Sequence, residues 1–349
     1  AEQLEAVRTR LLPMLDELNT CWREHLVPAL EADGVRILRW DDLKSLERKE
    51  LREQFKNEIS PALTPLAFDP GHPFPHISNL SINLAVEIED PAVGVRFARV
   101  KVPQLFDRLL PLPATGKSAA RQQLGLGASE PVDFVWLEEV ISANLDLLFP
   151  GMELTGVHPF RVTRDADFEI EEDEAADLME AMQEVVDRRH FGSAVRLEVG
   201  TQMPRRIREI LMRNLELAPF QVYETDGPLG SSDLMQLAGL DRPELKDAPF
   251  APMPSAALKD DESLFSVLRE RDVLLYHPYD SFKPVLELIR QAAHDPRVVA
   301  IKMTLYRVGP NSPIVAALRE ARENGIQVSA LIELKARFDE ANNIEWAQA

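Results

Sequence analysis

The stretch Val298–Glu340 reads VVAIKMTLYRVGPNSPIVAALREARENGIQVSALIELKARFDE and decides the fold of the C-terminal part of the chain. Two nearly continuous apolar runs, Val298 to Tyr306 and Gln327 to Glu333, are typical of strands, and the amphipathic run Ile314 to Glu323 between them predicts a helix. Apolar strands that alternate with helices indicate a parallel sheet covered on both faces. The stretch therefore predicts an α/β unit.

Two arginines follow the ends of these strands. Arg307 comes directly after the first strand and Arg337 lies past the second. Parallel sheets bind ligands outside the carboxyl ends of their strands, and guanidinium forks bind phosphate oxygens bidentately while staying charged at any working pH. A phosphate pocket is one interpretation. Ion pairs of these arginines with Glu333, Asp339 or Glu340 are the other, and spacing alone does not separate them.

The rest of the chain predicts three regions. The opening residues have helical spacing, and Pro13 is expected to kink or divide the first helix. The middle region alternates strands with helices, including a helix over most of Phe134 to Phe149 and one over Glu174 to Phe191. A Pro-rich segment, Asp247 to Pro254, then precedes the α/β unit, which begins with an apolar strand at Asp272 to Tyr276.

Composition restricts the classes of function. The chain has 349 residues, of which 45% are hydrophobic, enough for several cores. The single cysteine, Cys21, excludes an internal disulfide framework and a multi-cysteine zinc site, so we expect a reducing cytoplasm. A net charge of -19 argues against nucleic-acid binding. The sequence contains no apolar run of about 18 residues, so no transmembrane segment is predicted. Because the sequence opens at Ala1, we expect a fragment.

Several motifs together resemble one family. The run AIKMTLYRV at Ala300–Val308 and the run ELKARFDE at Glu333–Glu340 are similar, in order and spacing, to the nucleotide-phosphate motifs of polyphosphate kinases. Upstream, DVLLYHPY at Asp272–Tyr279 resembles the strand that opens the first catalytic domain of that family. FPHISNLS at Phe74–Ser81 and FRVTRDAD at Phe160–Asp167 resemble its head domain. The matches span most of residues 70–349.

The resemblance to bacterial type 1 polyphosphate kinases implies a multidomain fold of mixed α+β and α/β class. We expect residues 1–45 to be the remnant of an N-terminal helical domain and residues 46–257 to be an α+β head domain that mediates homo-oligomerisation. Residues 258–349 are then the first part of a phospholipase-D-like catalytic domain. The expected location is the cytoplasm, and peripheral association with the inner membrane is left open.

The resemblance also implies a reaction. It is the reversible transfer of the terminal phosphate of ATP to inorganic polyphosphate through a phosphohistidine, with ATP or ADP and Mg²⁺ as substrate and cofactor. On this implication Arg307 and Arg337 contact the nucleotide phosphates. Neither arginine is a metal ligand, because a guanidinium cation has no lone pair to donate, so Mg²⁺ is expected on the phosphate oxygens beside them.

The histidines do not carry the motif that this chemistry needs. A phosphohistidine enzyme of the phospholipase-D type requires a histidine followed two residues later by lysine. None of the seven histidines has that lysine: His25, His72, His76, His158, His190, His277 and His294. We therefore expect the nucleophile to lie outside residues 1–349, and the fragment alone to be inactive. The roles of His277 and Lys302 stay undecided.

Two alternative functions remain. In the first alternative, the chain is a non-catalytic fragment that serves oligomerisation or interaction. In the second it belongs to another phosphodiester enzyme of the phospholipase-D type, which the paired arginines allow and the head-domain resemblance disfavours.

Overall fold

The computed structural model describes residues 2–68, 74–90, 94–112, 131–165, 179, 192–255, 258, 263–336 and 339–348. The described residues form two compact units. One is built from residues up to 165 together with 192–246, and the other from residue 179 together with those of 247–348. The multidomain class of mixed α+β and α/β type predicted from the sequence is confirmed. The predicted helix Glu174–Phe191 lies outside the described residues, Met179 excepted.

The first unit combines helices and strands along its whole length. Its described helices are α1 (Glu2–Cys21), α2 (Val27–Ala32), α3 (Ser45–Gln54), α4 (Leu137–Ala143), α5 (Arg205–Asn214) and α6 (Met235–Ala238). Its described strands are β1 (Val35–Leu38), β2 (Leu66–Phe68), β3 (Ile82–Asp90), β4 (Gly94–Lys101), β5 (Leu109–Pro111), β6 (Val132–Trp136), β7 (Glu153–Arg164), β8 (Ala194–Gly200) and β9 (Val222–Thr225).

A six-stranded sheet forms the centre of the first unit. Its order is β2-β4-β3-β7-β8-β9, antiparallel except for the parallel pair β8 and β9. Successive residues of a strand point to opposite faces, so Leu84 joins one buried cluster and Ala85 another. Leu51 of α3 packs into the first cluster, and Ile207 of α5 packs into the second. Helices therefore cover both faces of this sheet.

A smaller sheet of order β1-β6-β5 lies beside it in the same unit, and it corrects one prediction. The sequence predicts a helix over most of Phe134–Phe149, but Val132–Trp136 is strand β6, and the helix begins only at Leu137. Strand β6 pairs in parallel with Val35–Leu38. Pairing with a distant strand overrides local pattern, which the sequence alone does not reveal.

Pro13 does not divide the first helix, contrary to one of the two expected outcomes. Helix α1 runs without a break from Glu2 to Cys21 and has no buried residue. A proline in a helix removes one backbone donor. Because α1 lies at the surface, water can reach the carbonyl group that loses its partner, and the remaining turns hold the helix together.

The second unit contains the parallel strands that the sequence predicts. Its described elements are α7 (Leu264–Glu270), α8 (Lys283–His294), β10 (Ala300–Leu305), α9 (Pro313–Glu323), β11 (Gln327–Ile332) and α10 (Glu340–Gln348). Strands β10 and β11 are parallel, in the register Ala300 with Gln327 to Leu305 with Ile332. Helices α8 and α9 pack on one face of this pair through Ile289 and Leu318.

Two expectations for this unit are wrong among the described residues. The face of β10 and β11 that carries Lys302 and Leu331 is exposed, so the sheet is not covered on both faces. Residues 272–276 do not form the predicted strand, and Leu274 is 91% exposed. An apolar run becomes a strand only when a neighbouring strand accepts its backbone hydrogen bonds, and no described strand pairs with this run.

Candidate functional site

The carboxyl ends of β10 and β11 form one edge of the second unit. Leu305 and Ile332 are paired in the ladder, and the backbone N–H of Glu333 donates to the carbonyl oxygen of Leu305 at 3.2 Å. Both chain segments therefore leave the sheet at the same edge. Tyr306 and Arg307 follow β10 there, so the sequence-based placement of Arg307 just past a parallel strand is correct.

Helix α10 ties these strand ends together through one buried side chain. The side chain of Asn343 is fully buried, and its Nδ2 atom donates to the carbonyl oxygens of Tyr306 and Glu333, both at 2.7 Å. The indole Nε1 of Trp346, one turn further along, donates to the carbonyl oxygen of Gly309 at 3.1 Å. The loop that carries Arg307 is thus held to α10 at two points.

Arg307 is exposed at this edge, where a ligand can reach it. Its guanidinium carbon lies 5.2 Å from the centre of the Tyr306 ring, a distance typical of a cation–π contact. Such a contact orients the guanidinium plane without neutralising its charge. The side chain is therefore a candidate anion ligand, and the choice between phosphate binding and an ion pair stays open.

Arg337, the second predicted site residue, lies outside the described residues together with Phe338. Its role stays a prediction. The residues on either side of it are described: Ala336 is fully buried, and the backbone N–H of Asp339 donates to the carbonyl oxygen of Ala336 at 2.9 Å.

The helices that begin at this edge add a favourable field for anions. Helix α9 starts at Pro313, after Ser312, on the loop that follows β10, and α10 starts at Glu340 on the loop that follows β11. The N-terminus of a helix carries unpaired N–H groups and a partial positive charge, which favour a bound anion. The buried carboxylate of Glu340 offsets part of that field at α10.

Asp339 supplies an acceptor that is not satisfied within the described part of the chain. Its Oδ1 atom accepts from Asn342 Nδ2 at 2.7 Å, whereas its buried Oδ2 atom has no hydrogen-bond partner there. The Oδ1 atom of Asn343 is also buried without a partner. The two residues are joined through the backbone, because the N–H of Asn343 donates to the carbonyl oxygen of Asp339 at 3.0 Å.

Lys302 and His277 occupy other positions. Lys302 is exposed on the open face of β10, three residues, or roughly 10 Å, before the strand end. His277 is exposed; its Nδ1 atom lies 2.9 Å from the carbonyl oxygen of Asp280, and its ring packs edge-on against Phe282 at 5.3 Å. These contacts give His277 a place in a turn and leave the functions of both residues undecided.

The sequence predicts that Mg²⁺ is bound by phosphate oxygens, and the protein itself offers few metal ligands among the described residues. Within the described residues, no group of three or more His, Cys, Asp or Glu side chains is arranged to hold a metal ion. No helix of the described chain is long and apolar enough to cross a membrane.

Sequence reasoning missed Asn343, whose contacts define the edge. The motif ends at Glu340, and the run Asn343–Ala349 is simply helical in pattern. The only signal available is that Asn343 stands four residues after Asp339, on the same helix face. That spacing does not say that the asparagine is buried against two strand ends.

Family models match most of the chain. Residues 46–237 match the polyphosphate kinase middle domain, and residues 263–349 match the polyphosphate kinase C-terminal domain 1. The chain belongs to the polyphosphate kinase family, as the sequence motifs indicate.

Individual relatives agree with this assignment. Polyphosphate kinase 1 of Chlorobaculum tepidum is 49% identical over 352 residues, covering 100% of this chain and 49% of the relative. A polyphosphate kinase of Mycobacterium tuberculosis is 46% identical over 353 residues, covering 100% of this chain and 47% of the relative. The crystal structure of polyphosphate kinase from Porphyromonas gingivalis superposes with a TM-score of 0.76 at 25% identity, over 99% of this chain and 49% of that one. The chain thus spans about half the length of these relatives.

Proposed function

We propose that this chain is part of an enzyme that reversibly transfers the terminal phosphate of ATP to inorganic polyphosphate. The observation that carries the proposal is the edge at which Arg307 follows β10, tied to the end of β11 by Asn343. An exposed, permanently charged guanidinium at the carboxyl end of a parallel strand suits a polyphosphate chain or a nucleotide triphosphate. Membership of the polyphosphate kinase family supports the same reaction.

In this proposal Arg307 and Arg337 bind the oxygens of the transferring phosphoryl group. Phosphoryl transfer spreads negative charge over those oxygens, and donors already held in place stabilise that charge without reorganising. The guanidinium forks would also keep the attacking and leaving oxygens in line. Helix α9 begins at Pro313 on the same loop as Arg307, and the positive end of its dipole also favours bound phosphate.

A magnesium ion that arrives with the nucleotide would be held mainly by the phosphate oxygens, with Asp339 as the protein residue that could join them. Mg²⁺ takes oxygen ligands and keeps several waters. Asp339 presents a buried Oδ2 atom that lacks a partner among the described residues, and such an oxygen suits Mg²⁺ or one of its waters. When bound, the ion neutralises part of the charge on the phosphates. The protein residues hold the phosphate chain itself.

We further infer that the phosphohistidine nucleophile lies outside residues 1–349. None of the seven histidines has a lysine two residues on, and the relatives are about twice as long as this chain. The chain alone is then inactive. The division into a helical remnant (1–45), a head domain (46–257) and the first part of a phospholipase-D-like domain (258–349) belongs to the same proposal. So do homo-oligomerisation through the head domain and a cytoplasmic location.

Incubation with ATP labelled at its terminal phosphate tests the proposal. The full-length protein that contains this chain, supplied with Mg²⁺, should build a labelled polymer and carry an acid-labile phosphate on a histidine. The 349-residue chain, as the matched control, should do neither. Hydrolysis of phosphatidylcholine without polymer would instead support a different phosphodiester enzyme. Labelled phosphate on any of the seven histidines would contradict the inferred position of the nucleophile.

A further inference from the structure

The carboxamide of Asn343 stabilises the fold, and it also joins two backbone segments. The side chain is fully buried, and both protons of its Nδ2 atom are used by carbonyl oxygens of different chain segments, Tyr306 and Glu333. A carboxamide is the shortest uncharged side chain that offers two donors on one atom. Asn343 therefore sets the separation of two backbone segments with a single group.

One of those two segments leads directly to Arg307, the candidate phosphate ligand among the described residues, and the other is the end of β11. The Tyr306 carbonyl group belongs to the peptide bond that joins Tyr306 to Arg307, and Glu333 is the first residue after β11. A shift of either carbonyl group moves the backbone next to Arg307 or the start of the segment that leads to Arg337. The second tie, from Trp346 to Gly309, lies further along the Arg307 loop and does not touch β11.

We propose that Asn343 is a positioning residue of the phosphate site, which fixes the spacing of the two strand ends so that Arg307 is held where it can bind a phosphate chain. The inference rests on the proposed function. Bidentate binding of phosphate by guanidinium groups requires accurate geometry, and a displacement of about 1 Å can cost about 10²-fold in rate. The substrate group that feels the change is the phosphate chain, whether it belongs to ATP or to inorganic polyphosphate.

The variant Asn343→Asp tests this with a minimal change of shape. It replaces the Nδ2 donor with a carboxylate oxygen, which repels the carbonyl oxygens of Tyr306 and Glu333, so the strand ends separate. Asn324→Asp is the matched control. The Nδ2 atom of Asn324 donates to the carbonyl oxygen of Ala293 at 2.8 Å, just before β11 begins and therefore roughly 15–20 Å from the carboxyl edge.

The measurement uses the full-length protein and two probes, Mg-ATP and inorganic tripolyphosphate, titrated calorimetrically, together with kcat and KM for polyphosphate synthesis. We expect Asn343→Asp to weaken the binding of both probes and to lower kcat by about 10-fold to 100-fold. Asn324 is exposed and makes a single such bond, so Asn324→Asp should lower the melting temperature less and leave both affinities within about 2-fold. If Asn343→Asp does not fold, Asn343→Ser, which keeps one donor, carries the same test with a smaller expected loss.

Three outcomes would overturn the inference. Unchanged affinity for both probes in a folded Asn343 variant would show that the carboxamide only stabilises the fold. An equal loss in Asn324→Asp would trace the effect to general destabilisation. If the unsubstituted protein bound neither probe and made no polyphosphate, the proposed function would fail first, and the positioning role would fail with it.

Discussion

Arg108 is a buried, charged side chain of the first unit, and its replacement tests how much its ion pairs contribute to the stability of that unit. The side chain is 8% exposed, and its guanidinium contacts the carboxylate of Glu138 at 2.6 Å, the carbonyl oxygen of Gly230 at 3.1 Å and Asp233 at 3.0 Å. It also donates to the carbonyl oxygen of Leu229 and lies 4.7 Å from the ring centre of Trp136.

The expected loss of stability follows from the buried carboxylate of Glu138, which loses its partner. Burial works to lower the pKa of Arg108, but the hydrogen bonds and charges of Glu138 and Asp233 outweigh it and raise that pKa, so the group stays charged. Arg108→Met leaves the Glu138 carboxylate, only 13% exposed, without its partner. Breaking such a buried pair costs about 3–5 kcal/mol. For a unit of this size the melting temperature should fall by about 6–20 °C.

Urea unfolding followed by circular dichroism measures the change. The exposed pair of Arg205 and Glu209 supplies the matched control, and Arg205→Met should have a barely measurable effect. The double variant Arg108→Met with Glu138→Gln should be more stable than Arg108→Met alone, because the unpaired charge is removed. The reasoning is refuted if Arg108→Met costs no more than Arg205→Met, or if the double variant is the less stable one.

Two further predictions concern the first unit. Burial raises the pKa of Glu139 above its usual value of 4.5, against the hydrogen bond that its Oε2 atom accepts from the backbone N–H of Trp40 at 2.6 Å. A raised folded-state pKa gives stability that is present below the usual pKa and is lost as pH rises through the raised one. Glu139→Gln keeps the acceptor, so the free energy of unfolding should fall less with rising pH than in the unsubstituted protein; equal slopes would argue against a buried charge. Self-association through the head domain predicts oligomers in sedimentation equilibrium at tens of micromolar, and a strict monomer there would count against it.

The sequence predicted the second unit well where local pattern and tertiary structure agree. Strands β10 and β11 and helix α9 have the patterns of buried strands and of an amphipathic helix, so their positions follow from periodicity. The run at residues 272–276 has the same apolar pattern and is not a strand. The difference lies in the partner: a strand requires a neighbour for its backbone hydrogen bonds, and a pattern within one segment carries no information about that neighbour.

The candidate site was predictable to a similar extent. Arg307 could be placed because the end of an apolar strand is visible in the sequence, and the carboxyl edge of a parallel sheet is where ligands bind. Asn343 could not be placed, because its importance comes from burial against Tyr306 and Glu333. Those contacts depend on how α10 packs. Arg337 lies outside the described residues, so its place at this edge is still a prediction.

Phosphate binding by Arg307 is tested most directly by kcat/KM for ATP in the full-length protein carrying Arg307→Lys. Lysine keeps the charge and removes the planar fork, so kcat/KM should fall by about 10²-fold to 10³-fold while the melting temperature stays unchanged. The matched control is Arg297→Lys, an exposed arginine before β10 that pairs with Asp295, and it should leave kcat/KM unchanged. Full activity of Arg307→Lys with a lowered melting temperature would contradict phosphate binding by Arg307 and make this residue a structural ion-pair partner.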